Sequence, residues 1–134
     1  MQAEDSMAVA QITRGLQEVI SAAENKDFER LDSYHLYGPK FTKFTTSLPE
    51  RLDATAGRKG EHDGLGAARG LKMRADGLKI DVFGNVGIAT FILDYSFVAS
   101  GQVAHRKERS TIVFVKEGDG SWKIAHEHLS RISE

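Results

Sequence analysis

From residue 78 onward the chain carries apolar runs at strand spacing, cut by short glycine-centred breaks, and this feature constrains its fold more than any other. "LKIDVF" alternates, and Gly84–Asn85 supplies a two-residue turn. "VGIATFILDYSFVA" follows, Ser100–Gly101 turns the chain, and "AHRKERSTIVFVK" returns it. "EGDGS" turns it once more into "WKIAHEHLSRI". Parallel neighbours would need crossovers of a dozen or more residues, so breaks this short force an antiparallel meander. The "VGIATFILDYSFVA" run is apolar on both sides: Phe91, Leu93, Tyr95 and Phe97 on one, Ile88, Ile92 and Val98 on the other. An antiparallel sheet with one wet face shows a polar side. The second face is therefore expected to be covered, most simply by a homodimer packed sheet to sheet, since a two-fold contact needs only one self-complementary patch.

The first half has helical periodicity. Val9, Ile12, Leu16, Val19, Ile20 and Ala23 follow i, i+3, i+4 spacing and make one apolar stripe, with Asp5 or Ser6 available as a cap. Asp27 can cap a short second helix, "FERLDSYH", which Gly38–Pro39 ends. "KFTKF" reads as a short strand, and residues 45–60 as a loop with at most one helical turn. "EHDGLGAARGLKMRAD" is expected to be a third helix, although its interior glycines weaken it. Helices followed by a meander make an α+β fold, with the helices on one face of a bent sheet.

The 134 residues suit one domain, 1–134, able to bury its own core. The lack of cysteine excludes disulfide frameworks, thiolate catalysis and Cys-based metal sites. The N-terminus has no basic region followed by an apolar one, and no apolar run approaches the ~20 residues of a membrane span. Eighteen basic against 19 acidic residues leave a formal charge of −1, without the basic stripe of a nucleic-acid binder. There is no glycine-rich phosphate loop. These observations point to a cytoplasmic protein that takes a small-molecule ligand, with no cofactor and no nucleic-acid or membrane partner.

The chemistry-bearing residues gather in "SWKIAHEHLSRISE". His126 and His128 have metal-ligand spacing on a strand, but a stable site needs further ligands. His105 or Asp94 could supply one, but nothing in the sequence brings them there, so no metal is assigned. Strict alternation puts Trp122, Ile124, His126, His128 and Ser130 on one face and Ala125, Glu127 and Leu129 on the other. A three-residue loop at "EGDGS" pairs Glu117 with Ser121, Thr111 with Glu127 and Arg109 with Leu129, leaving Arg109 and Glu127 diagonal neighbours. A slipped register would instead put Arg109 on the face of His128.

"NKDFERLDSYH…FTKF", "LKIDVFGNVGIATFILDYSF" and "ERSTIVFVKEGDGSWKIAHEHLS" resemble the nuclear transport factor 2-like superfamily, and within it the SnoaL-like, ketosteroid isomerase-like group. "W-x-I-x-H-x-H-x-S" also resembles the end of the association domain of calcium/calmodulin-dependent kinases. The resemblance runs from about residue 7 to residue 131. It implies a cone-shaped, cystatin-like roll: a strongly curved antiparallel sheet wraps the N-terminal helices and leaves a pocket at the open end. It also implies that the last-strand position before the final serine, Leu129, faces that pocket. Glu127 would then point inward, with Arg109, Thr111, Phe91 and Tyr95 near it and Tyr34, His35, Phe41 and Phe44 about the mouth. Trp122, His126 and His128 would lie at a dimer interface or rim. The ketosteroid isomerase catalytic set is not present: residues 7–24 hold no tyrosine and "KFTKF" holds no aspartate. Two readings follow. The protein binds a small, largely apolar molecule without turnover, Arg109 meeting a ligand or Glu127. Alternatively it is an isomerase, dehydratase or cyclase in which Glu127 is the general base, with Tyr95 or His35 as acid partner.

Overall fold

The structure, a computed structural model, describes residues 3–133. Helix α1 (Ala3–Asn25) buries Ile12, Leu16 and Ala23 of the expected stripe, together with Ala8 and Ala22, while Val9, Val19 and Ile20 are half-buried. It stops at Lys26, whose φ of 56° is left-handed and cannot continue a helix. Asp27 accepts from the Arg30 backbone N–H and caps α2 (Phe28–Ser33). That helix ends before the expected "YH". Tyr34, His35 and Leu36 run instead beside the last strand, joined to Ile124 by two backbone hydrogen bonds of 2.8 Å.

Strands β1 (Thr42–Thr45) and β2 (Leu48–Leu52) precede α3 (Ala54–Ala67), and β3 (Arg69–Phe83), β4 (Val86–Ala99), β5 (Gln102–Lys116) and β6 (Trp122–Arg131) complete one sheet. Its order is β2-β1-β6-β5-β4-β3. All pairs are antiparallel except β1–β6. The expected loop over residues 45–60 is therefore wrong. Asp53 accepts from the Ala56 N–H at 2.9 Å and starts α3 well before residue 61. The expected third helix is wrong in its second half, because "RGLKMRAD" belongs to β3. There Leu71, Met73 and Ala75 turn inward while Lys72 and Arg74 are exposed, a period of two. The glycines that weakened the helix have another use. Gly70 and Gly77, with φ of 59° and 65°, sit at the two register shifts of the β3–β4 ladder, where bulges bend the sheet around the helices.

The core fills the concave side, where Ile12 and Leu16 of α1 meet Ala89, Phe114, Trp122 and Ile124. The β5–β6 hairpin closes as expected, Glu117 N–H to Ser121 carbonyl at 2.8 Å. The register then slips by one residue: Phe114 pairs with Ile124 but Val113 pairs with His126, leaving Ala125 as a bulge. This bulge exchanges the faces of β6. Trp122 and Ile124 point inward before it, and Glu127 and Leu129 point inward after it. Trp122 is thus a core residue, with its indole N–H on Gln11 Oε1, and not an interface or rim residue. Glu127 faces Ile112 and Leu129 faces Ser110, so the expected Thr111–Glu127 and Arg109–Leu129 pairings are replaced. Among the described residues no helix is long and apolar enough to cross a membrane.

Candidate functional site

A cavity of about 410 Å³ lies between α1, α3 and the concave face of the sheet. Its walls are apolar: Leu16, Val19 and Ile20 from α1, Leu65 from α3, Met73 from β3, Phe91 and Leu93 from β4. Gly60 and Gly64 on the same side of α3 leave room that larger side chains would take.

One buried polar cluster lies at the wall formed by β1 and β6. Glu127 is 4 %, Lys43 5 % and His35 6 % exposed. The parallel β1–β6 ladder sets Lys43 directly beside Glu127, and the Tyr34–Leu36 segment takes up the same edge of β6 at Ile124. Glu127 Oε1 meets His35 Nε2 at 2.5 Å, and its Oε2 meets Lys43 Nζ at 3.1 Å. Glu61, from α3, reaches the same Lys43 at 3.4 Å and His35 Nε2 at 3.7 Å, and accepts from the Tyr37 hydroxyl at 3.3 Å. Tyr37 stacks on the His35 ring, with centroids 4.8 Å apart, and Phe41 packs edge-on against Tyr37.

The hydrogen-bond directions fix the charges. His35 Nδ1 lies 2.9 Å from the Leu31 carbonyl, which only accepts, so Nδ1 carries a proton. Nε2 faces a carboxylate, so the ring is an imidazolium. Burial works against that charge, but the Glu127 hydrogen bond and charge, the Glu61 charge and the Leu31 carbonyl outweigh it and raise the His35 pKa. Burial likewise opposes the Lys43 charge, and the two carboxylates more than offset it. Glu127 feels the strongest desolvation, yet Lys43 and His35 hold it ionised below the usual carboxylate range. Burial and the two carboxylates hold the Tyr37 phenol in its protonated form. Two cations and two carboxylates therefore balance inside the protein.

The donor atoms of His35, Glu61 and Glu127 lie within 4.8 Å of one another and are of the type a divalent cation takes. Lys43 Nζ already sits between the two carboxylates, so a metal would have to displace it.

The cavity brings together Glu127, Tyr95, Phe91 and Leu129 of the residues singled out in the sequence, and His35 touches Glu127 from behind. It does not include Arg109 or Thr111, which lie in a shallow depression on the outer face with Asp76 and Ile92. The expected Arg109–Glu127 pair does not form, because the Ala125 bulge turns those side chains to opposite faces. Tyr34 packs against Gly15 of α1, and Phe41 is core. Phe44 is on the outer side, its ring 5.5 Å from that of His128 and 6.2 Å from that of His126. Lys43, Glu61, Tyr37 and Glu108 are the polar residues sequence reasoning missed. Lys43 left a signal: it shares the inward parity of "KFTKF" with buried Phe41.

The sequence profile of the SnoaL-like domain matches residues 12–133. No curated protein sequence matches the chain. Among solved structures, an NTF2-like family protein from Streptomyces avermitilis named as a candidate dehydratase superposes with a TM-score of 0.85 at 17% identity, over 97% of this chain and 99% of that one. A nuclear transport factor 2-like superfamily protein from Salmonella enterica serovar Typhimurium gives 0.86 at 19%, over 96% and 94%. The CaMKII hub of S. rosetta gives 0.75 at 21%, over 92% and 95%. At these identities the likeness speaks for the fold alone, the cone of helices inside a curved, unclosed sheet seen in NTF2-like proteins, and the profile match establishes that the chain belongs to the SnoaL-like domain family.

Proposed function

We propose that this protein binds a small, largely apolar molecule in the cone, with a neutral carbonyl or hydroxyl oxygen against Lys43. The observation that carries this reading is an apolar cavity of about 410 Å³ with a charge-balanced cluster in its wall. That volume is within the range of ligand pockets. Lys43 has three ammonium protons and two carboxylate partners, which leaves one donor for a ligand oxygen. An anionic group is disfavoured there, since Glu61 and Glu127 already neutralise the two cations. Glu127 makes a poor general base: both oxygens are held and its pKa is lowered. Its role is to fix Lys43 and His35. Calorimetric titration with phenylbutanol and phenylbutyrate tests the reading. The alcohol is expected to bind and the carboxylate to bind at least tenfold more weakly, and Leu93→Trp, which fills the cavity, should abolish binding. If neither compound binds, or Leu93→Trp leaves binding unchanged, the reading fails.

We also propose that the protein is a homodimer through the outer face of the sheet, where Ile88, Ile92, Phe44, His126 and His128 lie. The apolar character of that face supports it, as does the likeness to proteins named as hub and association domains. The absence of cysteine fits a reducing, cytoplasmic setting. Sedimentation equilibrium should give twice the chain mass, and Ile92→Asp should give the monomer. A wild-type monomer at micromolar concentration would refute the dimer.

A further inference from the structure

The same cavity contains a second polar point that the Lys43 cluster does not use. Glu108 lines it from β5, and Tyr95 lines it from β4. The ladder pairs Glu108 with Leu93 and Tyr95 with Arg106, so Glu108 and Tyr95 are diagonal neighbours on the inner face. Phe97 continues that face, its ring stacked on Tyr95 with centroids 6.1 Å apart. Glu108 differs from the other two cavity carboxylates. Glu61 and Glu127 share Lys43 and His35, whereas among the described residues no basic nitrogen approaches Glu108 within 4.0 Å. Arg131 is opposite it in the ladder but exposed. With all groups ionised, the cavity wall carries one carboxylate more than it has buried cations. Burial raises the Glu108 pKa, and Arg131, Tyr95 and Lys43 only partly offset that cost.

Resting on the small-molecule reading above, we propose that Glu108, Tyr95 and Phe97 form a subsite for a protonated amine, so that the ligand is an apolar molecule with an ammonium group at one end and a neutral oxygen at the other. The ligand's ammonium supplies the counter-charge that Glu108 lacks, the phenol can pair with Glu108 or the ligand, and two aromatic faces accept a cation. The two polar points are offset along the sheet. Glu127 and Lys43 are level with Ile112, four residues along β5 from Glu108, which is about 13 Å of strand. The ammonium end lies toward the β4–β5 hairpin, whose Ala99 is an exposed part of the cavity rim.

Calorimetry with phenylbutylamine and phenylbutanol, matched in size, tests this. The amine should bind wild type about tenfold or more tightly than the alcohol, as one charge-assisted hydrogen bond provides. Glu108→Gln should remove that preference and leave alcohol affinity within about twofold, and Tyr95→Phe should reduce it. Equal affinities in wild type, or a preference that survives Glu108→Gln, would overturn the amine subsite while the small-molecule reading stands on the alcohol. If neither compound binds, both fall.

Discussion

Lys43→Met is the sharpest test of the buried cluster. Methionine keeps an unbranched stem of similar length and removes only the ammonium. In the wild type His35 and Lys43 oppose Glu61 and Glu127, and the sum is zero. In the variant Glu127, 4 % exposed in the wild type, keeps His35 alone, while Glu61 loses its nearest cation. Removing one partner of a buried pair costs about 3–5 kcal/mol. At about 2.1 cal/mol/K of unfolding entropy per residue over 134 residues, that is a fall in Tm of about 11–18 °C. The pH dependence separates this cause from lost packing. Burial by itself raises the Glu127 pKa, and Lys43 is the largest of the influences that lower it. Without Lys43 the carboxyl can take a proton on acidification, so the gap between variant and wild type should narrow from pH 8 toward pH 5. Glu127→Gln in the Lys43→Met background should cost less than the sum of the single substitutions, by about 1–3 kcal/mol. Thermal unfolding of the four proteins at both pH values measures all of this. A Tm drop under about 4 °C, constant with pH and additive with Glu127→Gln, would refute the charge argument.

Three further outcomes follow from the same geometry. His35 has a raised pKa, so its stabilisation is complete below its ordinary value of 6.5 and is lost as pH rises through the folded-state value; urea unfolding at stepped pH should show stability falling across that window by up to about 1.4 kcal/mol per pH unit, and His35→Asn should flatten it. Gly87→Ala would drive a Cβ into Ile12 Cδ1 in the core and set it 3.8 Å from the Trp122 ring, so it should cost about 1–3 kcal/mol in chemical denaturation although the position is in a strand. Deleting Ala125 removes the one extra residue of the bulge and leaves Ile124 and Glu127 inward and His126 and His128 outward in regular alternation; the protein should keep its cooperative thermal transition, and a variant that loses it would contradict the register argument.

How far the sequence reaches depends on what alternation can count. The β3–β4 and β4–β5 turns are legible because each is a glycine-bearing pair between runs of clear period, and the observed turns fall at Gly84–Asn85 and Ser100–Gly101. The start of β3 is not, because apolar residues at Leu65, Ala68 and Leu71 also satisfy a helix over a short window, and only the sheet's bend explains why Gly70 is there. Glu127 reaches the inner face as expected, but the route is different: face counting carries Trp122 with the histidines until Ala125 adds one residue, and an alanine bulge has no compositional mark. Its partner Lys43 is 84 residues away in sequence, joined by a parallel pairing that no hairpin count could reach. One rule would nonetheless have found both missed strand residues. Lys43 follows Phe41 on the buried parity of β1, and Glu108 precedes Ser110, Ile112 and Phe114 on the buried parity of β5. A charge placed among residues that must face the core has a desolvation cost, so it needs either a partner or a ligand. Lys43 has its partners in Glu61 and Glu127. Glu108 has no such buried partner, and that asymmetry is why the ligand chemistry of this cavity should be sought at Glu108 and not at the histidine pair.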